Sequence, residues 1–136
     1  MGEPVLTASL LCEDVLPSAL LDDKPTLYRV VFDWVVMNFP ARVRRVFGVN
    51  FWQGGQGEFV GHVRVLTPSG LVAAEGESAF VAHDDGYHLQ ILRFDNLMLP
   101  EPGTYVIDIY RGDKLVMTYS VFVIDGSAPA AQDKEN

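Results

Sequence analysis

The stretch Gly103-Thr-Tyr-Val-Ile-Asp-Ile-Tyr-Arg-Gly-Asp-Lys-Leu-Val-Met-Thr-Tyr-Ser-Val-Phe-Val-Ile-Asp125 decides the fold, because it has the pattern of a β-hairpin. The larger apolar residues fall at odd positions on both sides of the central Gly-Asp: Tyr105, Ile107 and Ile109 before it, and Leu115, Met117, Tyr119, Val121 and Val123 after it. Residues paired across antiparallel strands share a face, so these sets meet only if paired positions sum to an even number. A two-residue Gly112-Asp113 loop would split them. We therefore predict a loop with an odd residue count, such as three residues with Gly112 at positive φ beside a bulge.

The composition limits the size and the partners of the protein. One domain with a real core is expected from 136 residues of which 49% are apolar. The net charge of −8 argues against nucleic acid and anionic lipid as partners, because phosphate contacts rely on a surplus of Lys and Arg. Cys12 is the only cysteine, which excludes an internal disulfide. We see no signal peptide and no apolar run of membrane-spanning length, and therefore expect a cytoplasmic protein.

Period-two alternation continues through the chain and predicts about eight short strands without a substantial helix. The strongest signal is Leu27 to Met37, whose even positions carry Tyr28, Val30, Phe32, Trp34 and Val36. Pro17 to Lys24 is the only segment with residues that favour a helix, and it is long enough only for a turn. The apolar residues change from odd to even positions after Ile91, which predicts a bulge or a loosened pairing there. We predict a single antiparallel β-sandwich over residues 1–125 and a disordered tail over residues 126–136.

The segment from Leu97 to Ile107 sharpens this prediction. It has the pattern of a tyrosine corner: a leucine, then a corner containing Pro and Gly, then Gly-x-Tyr at the start of the penultimate strand. In that device the phenol hydroxyl donates backward to the backbone around the corner. Tyr105 is the candidate donor and the carbonyl around Leu99 the candidate acceptor, with an ordinary buried tyrosine as the alternative.

Four segments that together cover most of the chain carry a resemblance to a known family. They are Leu10-Leu-Cys-Glu-Asp14, the Phe32-Asp33 strand running into Phe39-Pro40, Val63-Arg-Val-Leu-Thr-Pro-Ser-Gly70, and Pro102-Gly-Thr-Tyr-Val-Ile-Asp-Ile109. On these segments the chain resembles an uncharacterised bacterial family, a domain of unknown function with an immunoglobulin-like β-sandwich fold. The resemblance implies the fold, but it implies no activity and no functional residues.

Metal and catalytic motifs are not evident in the letters. His83 and His88 could approach across a hairpin near Asp84, but no HxH or HxxxH spacing supports a zinc or iron site, and exposed histidines are the preferred interpretation. The acidic pairs lack the alternating oxygen ligands of a calcium loop; they are Glu13-Asp14, Asp22-Asp23 and Asp84-Asp85. We expect no enzyme, no cofactor and no bound metal.

Two small sets of residues are candidates for ligand contact. Trp52 and Gln53 precede the turn Gly54-Gly55-Gln56-Gly57 and could contact a sugar or a peptide, although a core Trp52 is the favoured interpretation. Arg42 and Arg44 share one strand face in an acidic protein and could grip a carboxylate or an acidic partner segment. The alternative is that a cross-strand acid such as Asp33 neutralises them.

The closing hairpin has an unusually apolar second face. Val106, Tyr110, Val116 and Phe122 lie on it, and an exposed apolar patch usually marks a contact surface. Arg111-Gly112-Asp113 spells an adhesion tripeptide, but turn formation explains it better. We expect a non-enzymatic protein-binding or assembly module, whose partner is another protein or a second copy. The alternative is a small-molecule or carbohydrate-binding sandwich, and an enzyme ranks third.

Overall fold

The computed structural model describes residues 2–17 and 24–127, which form an all-β structure of two packed sheets without a helix. Nine strands lie in this part of the chain: β1 (Val5–Leu16), β2 (Thr26–Val31), β3 (Asp33–Val36), β4 (Ala41–Gln53), β5 (Gly57–Leu66), β6 (Val72–Ala82), β7 (Tyr87–Leu99), β8 (Gly103–Arg111) and β9 (Lys114–Asp125). No helix in the described residues is long and apolar enough to cross a membrane.

The two sheets form an immunoglobulin-like sandwich, as predicted. One sheet has the order β2-β1-β4-β7, and the other has the order β3-β9-β8-β5-β6. All neighbouring strands are antiparallel except β3 and β9, which run parallel. The inner faces of both sheets supply the core, which includes Val63 and Ile109 from the five-stranded sheet and Val46 and Leu97 from the four-stranded sheet.

The strand predicted over Leu27 to Met37 is in fact two strands in different sheets, which raises the count from eight to nine. β2 pairs with β1, β3 pairs with β9, and only Phe32 separates them. Because the chain changes sheets at Phe32, its even positions do not stay on one face. Tyr28 and Phe32 are exposed, whereas Trp34 is half-buried against the core.

The hairpin of β8 and β9 pairs the two odd sets of apolar residues, as predicted. Tyr105 lies opposite Val121, and Ile109 lies opposite Met117. The loop itself differs from the prediction, because it is the two-residue Gly112-Asp113 turn, with Gly112 at a φ of 60°. A bulge after Ile109 absorbs the extra residue and restores the parity.

Tyr105 forms the predicted tyrosine corner with a different acceptor. Its side chain is fully buried, and its hydroxyl donates to the carbonyl of Glu101 at 2.7 Å rather than to a carbonyl near Leu99. Burial raises the pKa of the Tyr105 phenol. The hydroxyl therefore stays protonated as a donor and fixes the corner that precedes β8.

The pairing irregularity predicted after Ile91 does not occur, because β7 pairs with β4 in one continuous register through that position, and the inward face changes further along β7. Gln90, Leu92 and Phe94 face the core, and Ile91 points outward with 39% of its surface exposed. The inward face then switches to Leu97 and Leu99 at Asn96, whose φ is 57°. Asn is one of the few residues with a side chain that adopts this left-handed conformation readily.

A closed polar network joins the two sheets inside the core. Ser9, Asn50 and Gln90 form a row across β1, β4 and β7. The Gln90 Oε1 accepts from Asn50 Nδ2 at 3.0 Å and from Trp52 Nε1 at 2.9 Å. Its Nε2 donates to the Gly61 carbonyl and the Ser78 hydroxyl of the opposite sheet, each at 2.9 Å. Every polar atom of the Gln90 amide therefore has a partner.

Tyr119 extends this network to β9. Its hydroxyl lies 3.2 Å from the Ser9 hydroxyl, which donates to Asn50 Oδ1 at 2.7 Å. Burial raises the pKa of Tyr119 to about 12. The network thus includes a phenol that resists ionisation.

Two predictions fall largely outside the described residues. The turn between Pro17 and Lys24 is described only at its ends, and the tail over residues 126–136 is described only at Gly126 and Ser127. Those two residues form a turn in which Ser127 donates to the Asp125 carboxylate.

Candidate functional site

An open cleft rich in arginine lies on the surface of the protein. Its volume is about 640 Å³, and β1, β3, β4 and β7 contribute to its walls. We call it the arginine cleft, and its lining residues are Glu13, Trp34, Val43, Arg44, Arg45, Val46, Arg93, Asp95 and Asn96. This volume falls within the range of roughly 300–1,000 Å³ that is common for ligand sites.

Two irregular features of the backbone build this cleft. The change of sheet at Phe32 places Trp34 beside the buried Val123, so its ring faces inward at the edge of the five-stranded sheet. The left-handed Asn96 interrupts the alternation of β7 and puts Asp95 and Asn96 on the opposite wall. The cleft therefore exists because the strands at this end stop following simple alternation.

The charges in the cleft are incompletely paired. Arg45 lies 3.1 Å from Asp14, and Arg93 lies 2.9 Å from Asp95. Glu13 is engaged by Arg29 at 2.9 Å. None of the ion pairs found among the described residues includes Arg44. The cleft thus contains one guanidinium whose charge no neighbouring carboxylate compensates.

The other residues predicted as ligand contacts lie elsewhere. Arg42 is exposed opposite Met98 and does not line the cleft. Gln53 is exposed at the far end of β4, opposite Tyr87. Asp33 does not neutralise the arginines as proposed, because it pairs with Phe122 on the face of β3 opposite to Trp34.

Trp52 is a core residue, which confirms the favoured interpretation and removes Trp52 as a candidate ligand contact. Only 1% of its surface is exposed, and its ring stacks on Phe80 at a centroid distance of 5.3 Å. The indole N–H is occupied by Gln90. Trp34 is instead the tryptophan at the cleft. Alternation alone could not identify Trp34 as a cleft residue, because its position at the cleft depends on the change of sheet at Phe32.

The four residues predicted as an interaction surface do not form one exposed patch, and Val116 packs against the core. Val106, Tyr110 and Val116 are half-buried, and Phe122 is 50% exposed. Phe122 lies opposite Thr104, six residues from Tyr110, which is roughly 20 Å along a strand. The exposed apolar residues near Phe122 are instead Ile124 on the same strand and Val35, which pairs with Ile124 from β3.

The Arg-Gly-Asp tripeptide has a structural role at the hairpin tip. The Arg111 side chain is only 9% exposed. It donates to the Pro4 carbonyl at 2.9 Å and forms an ion pair with Glu3. Arg111 thereby ties the first described residues to β8 and is not displayed as a ligand.

The histidines are separated from one another. His62 lies 3.1 Å from Glu75, and His83 is exposed in a turn. His88 stacks on Phe80 at 4.8 Å, and burial lowers its pKa. Within residues 2–17 and 24–127, no three His, Cys, Asp or Glu side chains come together as metal ligands would.

Comparison with known proteins adds little to this description. No model of a protein family matches the sequence. No curated protein matches it either. The chain is similar to a solved structure of an immunoglobulin-like protein from Pseudomonas aeruginosa, with 12% identity, coverage of 90% of this chain and 97% of that chain, and a TM-score of 0.42. That similarity carries no inference about the site, and the fold class rests on the strand order and the tyrosine corner.

Proposed function

We propose that this protein is a non-enzymatic binding module that holds an acidic segment of a partner protein in the arginine cleft. The observation that carries this proposal is Arg44, which has no ion-pair partner among the described residues and lines the same cleft as Trp34 in an acidic chain. A guanidinium binds a carboxylate through two parallel N–H donors, which gives the contact direction as well as strength. Trp34 provides an adjacent apolar surface for the rest of the segment.

The lining favours binding over catalysis. Guanidinium groups keep their protons at any physiological pH and cannot act as bases. The two acids of the cleft, Glu13 and Asp95, are both held in ion pairs. The remaining side chains are an amide, an indole and two valines, which position a ligand without exchanging protons with it.

Peptide binding to two matched variants tests this function. We expect a hexaglutamate peptide to bind measurably in a calorimeter and hexaglutamine not to bind. Arg44→Ala should weaken binding about fivefold, which is typical of one lost ion pair at an exposed site. The control Arg42→Ala removes an exposed arginine of the same strand outside the cleft and should have less than about a twofold effect. Equal losses in both variants, or no binding of hexaglutamate, would contradict the proposal.

Self-association is the second form of the same proposal. Val35, Phe122 and Ile124 form an exposed apolar group at the β3–β9 edge, and such groups commonly pack against another protein surface. Light scattering would support a second copy as the partner if the mass is a multiple of 15.1 kDa that Phe122→Ser returns to a monomer. If the wild-type protein is a monomer, a second copy is excluded as the partner, and the partner is a different protein.

A small-molecule or carbohydrate binder is the alternative function, and one other cavity favours it. This cavity of about 350 Å³ is lined mostly by apolar and aromatic side chains: Lys24, Pro25, Leu27, Phe51, Tyr87 and Leu89. Anilinonaphthalene sulfonate is a suitable fluorescent probe. Tyr87→Ser should abolish its enhancement, and Tyr28→Ser, at an exposed tyrosine outside the cavity, should not. Unchanged fluorescence in Tyr87→Ser would exclude this cavity as the binding place.

We also propose that the chain belongs to the uncharacterised bacterial family that it resembles and works in the cytoplasm. The lone Cys12 is fully buried, and burial raises the pKa of its thiol, so it needs no oxidising partner. Fractionation of cells that express the native gene tests the compartment. Recovery with an envelope fraction would contradict it.

A further inference from the structure

Arg64, which is in none of the ion pairs among residues 2–17 and 24–127, lies on the outer face of the five-stranded sheet. Arg64 of β5 stands directly opposite Asp108 of β8. Its Nη2 donates to the Tyr110 hydroxyl at 2.7 Å, and its guanidinium lies over the Tyr110 ring at 5.3 Å from the centroid. Tyr110 therefore holds the guanidinium in one orientation before any ligand arrives.

The expected cross-strand ion pair is not formed. The Asp108 carboxylate accepts from the Thr118 hydroxyl at 2.8 Å, and no ion pair among the described residues joins Arg64 to an acid. The Arg64 Nε is enclosed and has no hydrogen-bond partner. An enclosed, charged donor without a partner is unfavourable, and nearly all such groups in proteins have one.

A small cavity adjoins this guanidinium. Its volume is about 180 Å³, and His62, Arg64, Tyr110, Gly112 and Asp113 line it. The His62 ring packs on Tyr110 at 5.7 Å and is held by Glu75 on its other side. Arg64 and the His62–Glu75 pair thus flank a space large enough for a carboxylate group with a short carbon chain.

We infer that this cavity binds a single carboxylate group, with Arg64 as its charged donor. The acids around it decide the charge of the ligand. Glu75, Asp108 and Asp113 all lie close, so they oppose a phosphate dianion more strongly than a monoanion. The cavity shares no lining residue with the arginine cleft, so this inference does not depend on the proposed function.

The carboxylate could come from a free small acid or from an acidic side chain of a protein, and one experiment covers both sources. The probe is the Nε–H resonance of Arg64 in the NMR spectrum of ¹⁵N-labelled protein, assigned by its disappearance in Arg64→Lys. We expect acetate to shift this resonance saturably and the neutral isostere acetamide to leave it unchanged. The Nε–H of Arg93, an exposed arginine already paired with Asp95, serves as the internal control.

The remaining arms identify the source and test the geometry. If a blocked Gly-Glu-Gly peptide shifts the resonance as acetate does, an acidic side chain fits the cavity; if acetate alone acts, the ligand is a free small acid. Tyr110→Phe removes the hydroxyl that orients the guanidinium and should weaken acetate binding about threefold. No saturable shift with acetate, an equal shift with acetamide, or tighter binding of inorganic phosphate would overturn the inference.

Discussion

Two stretches of β4 carry polar side chains with opposite outcomes. Near its end, Asn50 and Trp52 join Gln90 in a network in which each amide atom of Gln90 has a protein partner. Near its start, Arg44 faces an open cleft without a carboxylate partner among the described residues. A buried polar group that is fully satisfied specifies one packing of the two sheets. A solvated group with spare donors contributes little to folding and stays available for a ligand.

The comparison predicts its largest effect at Gln90. Gln90→Ala would leave the Asn50 amide, the Trp52 indole N–H and the Gly61 carbonyl without their partner and would open a cavity. We expect a loss of about 4 kcal/mol in the free energy of unfolding, measured with urea. As a control, Gln53→Ala at an exposed position of the same strand should change the free energy of unfolding by less than about 0.5 kcal/mol. A cost below about 1 kcal/mol for Gln90→Ala would mean that the network does not hold the sheets together.

An intermediate effect is expected from Tyr119 in alkaline solution. Because burial raises its pKa to about 12, the unfolded chain loses this proton near pH 10 while the folded chain retains it. The unfolded state then binds fewer protons, and stability falls as the pH rises from 10 toward 12. The wild type should lose about 2 kcal/mol more than Tyr119→Phe over this interval, measured by urea unfolding. Parallel pH profiles for the two proteins would show that Tyr119 ionises freely in the folded state.

The smallest effect is expected in the cleft. Arg44→Ala should alter the free energy of unfolding by less than about 0.5 kcal/mol, because an exposed charge without a pair contributes little to folding. The same urea titration measures it. A destabilisation as large as that of Gln90→Ala would remove the contrast between the two stretches of β4 and with it the reason to assign Arg44 to binding.

The parts of the fold that depend on neighbouring residues could be predicted from the amino-acid sequence. The hairpin pairing and the tyrosine corner of Tyr105 depend on alternation and on a Pro/Gly corner, which neighbouring residues determine. The acceptor of Tyr105 and the length of the loop at Gly112 depend on backbone details that side-chain patterns do not encode. The closed network was missed because Asn50 and Gln90 are polar, and alternation assigns polar residues to the surface.

The candidate site was predicted only in part for a related reason. Arg44 was recognised because arginine is conspicuous in an acidic chain. Its companions Trp34, Asp95 and Asn96 come from other strands. Trp34 lines the cleft after the change of sheet at Phe32, and Asp95 and Asn96 lie on β7 next to β4, where Asn96 is left-handed. Neither feature can be predicted reliably from a single sequence. A residue at which the chain changes sheets, and an Asn with a left-handed backbone inside a strand, have no distinctive sequence pattern.

The approach of Gln90 to Gly61 constrains how this protein can evolve. A Cβ at position 61 would overlap the Gln90 amide, so a methyl group there is incompatible with the present side chain at position 90. Position 61 therefore cannot change alone: a relative that acquires a side chain at 61 must already have replaced the glutamine, and one that keeps the glutamine must keep the glycine. Homologues that combine alanine at 61 with glutamine at 90 would have to space their sheets differently.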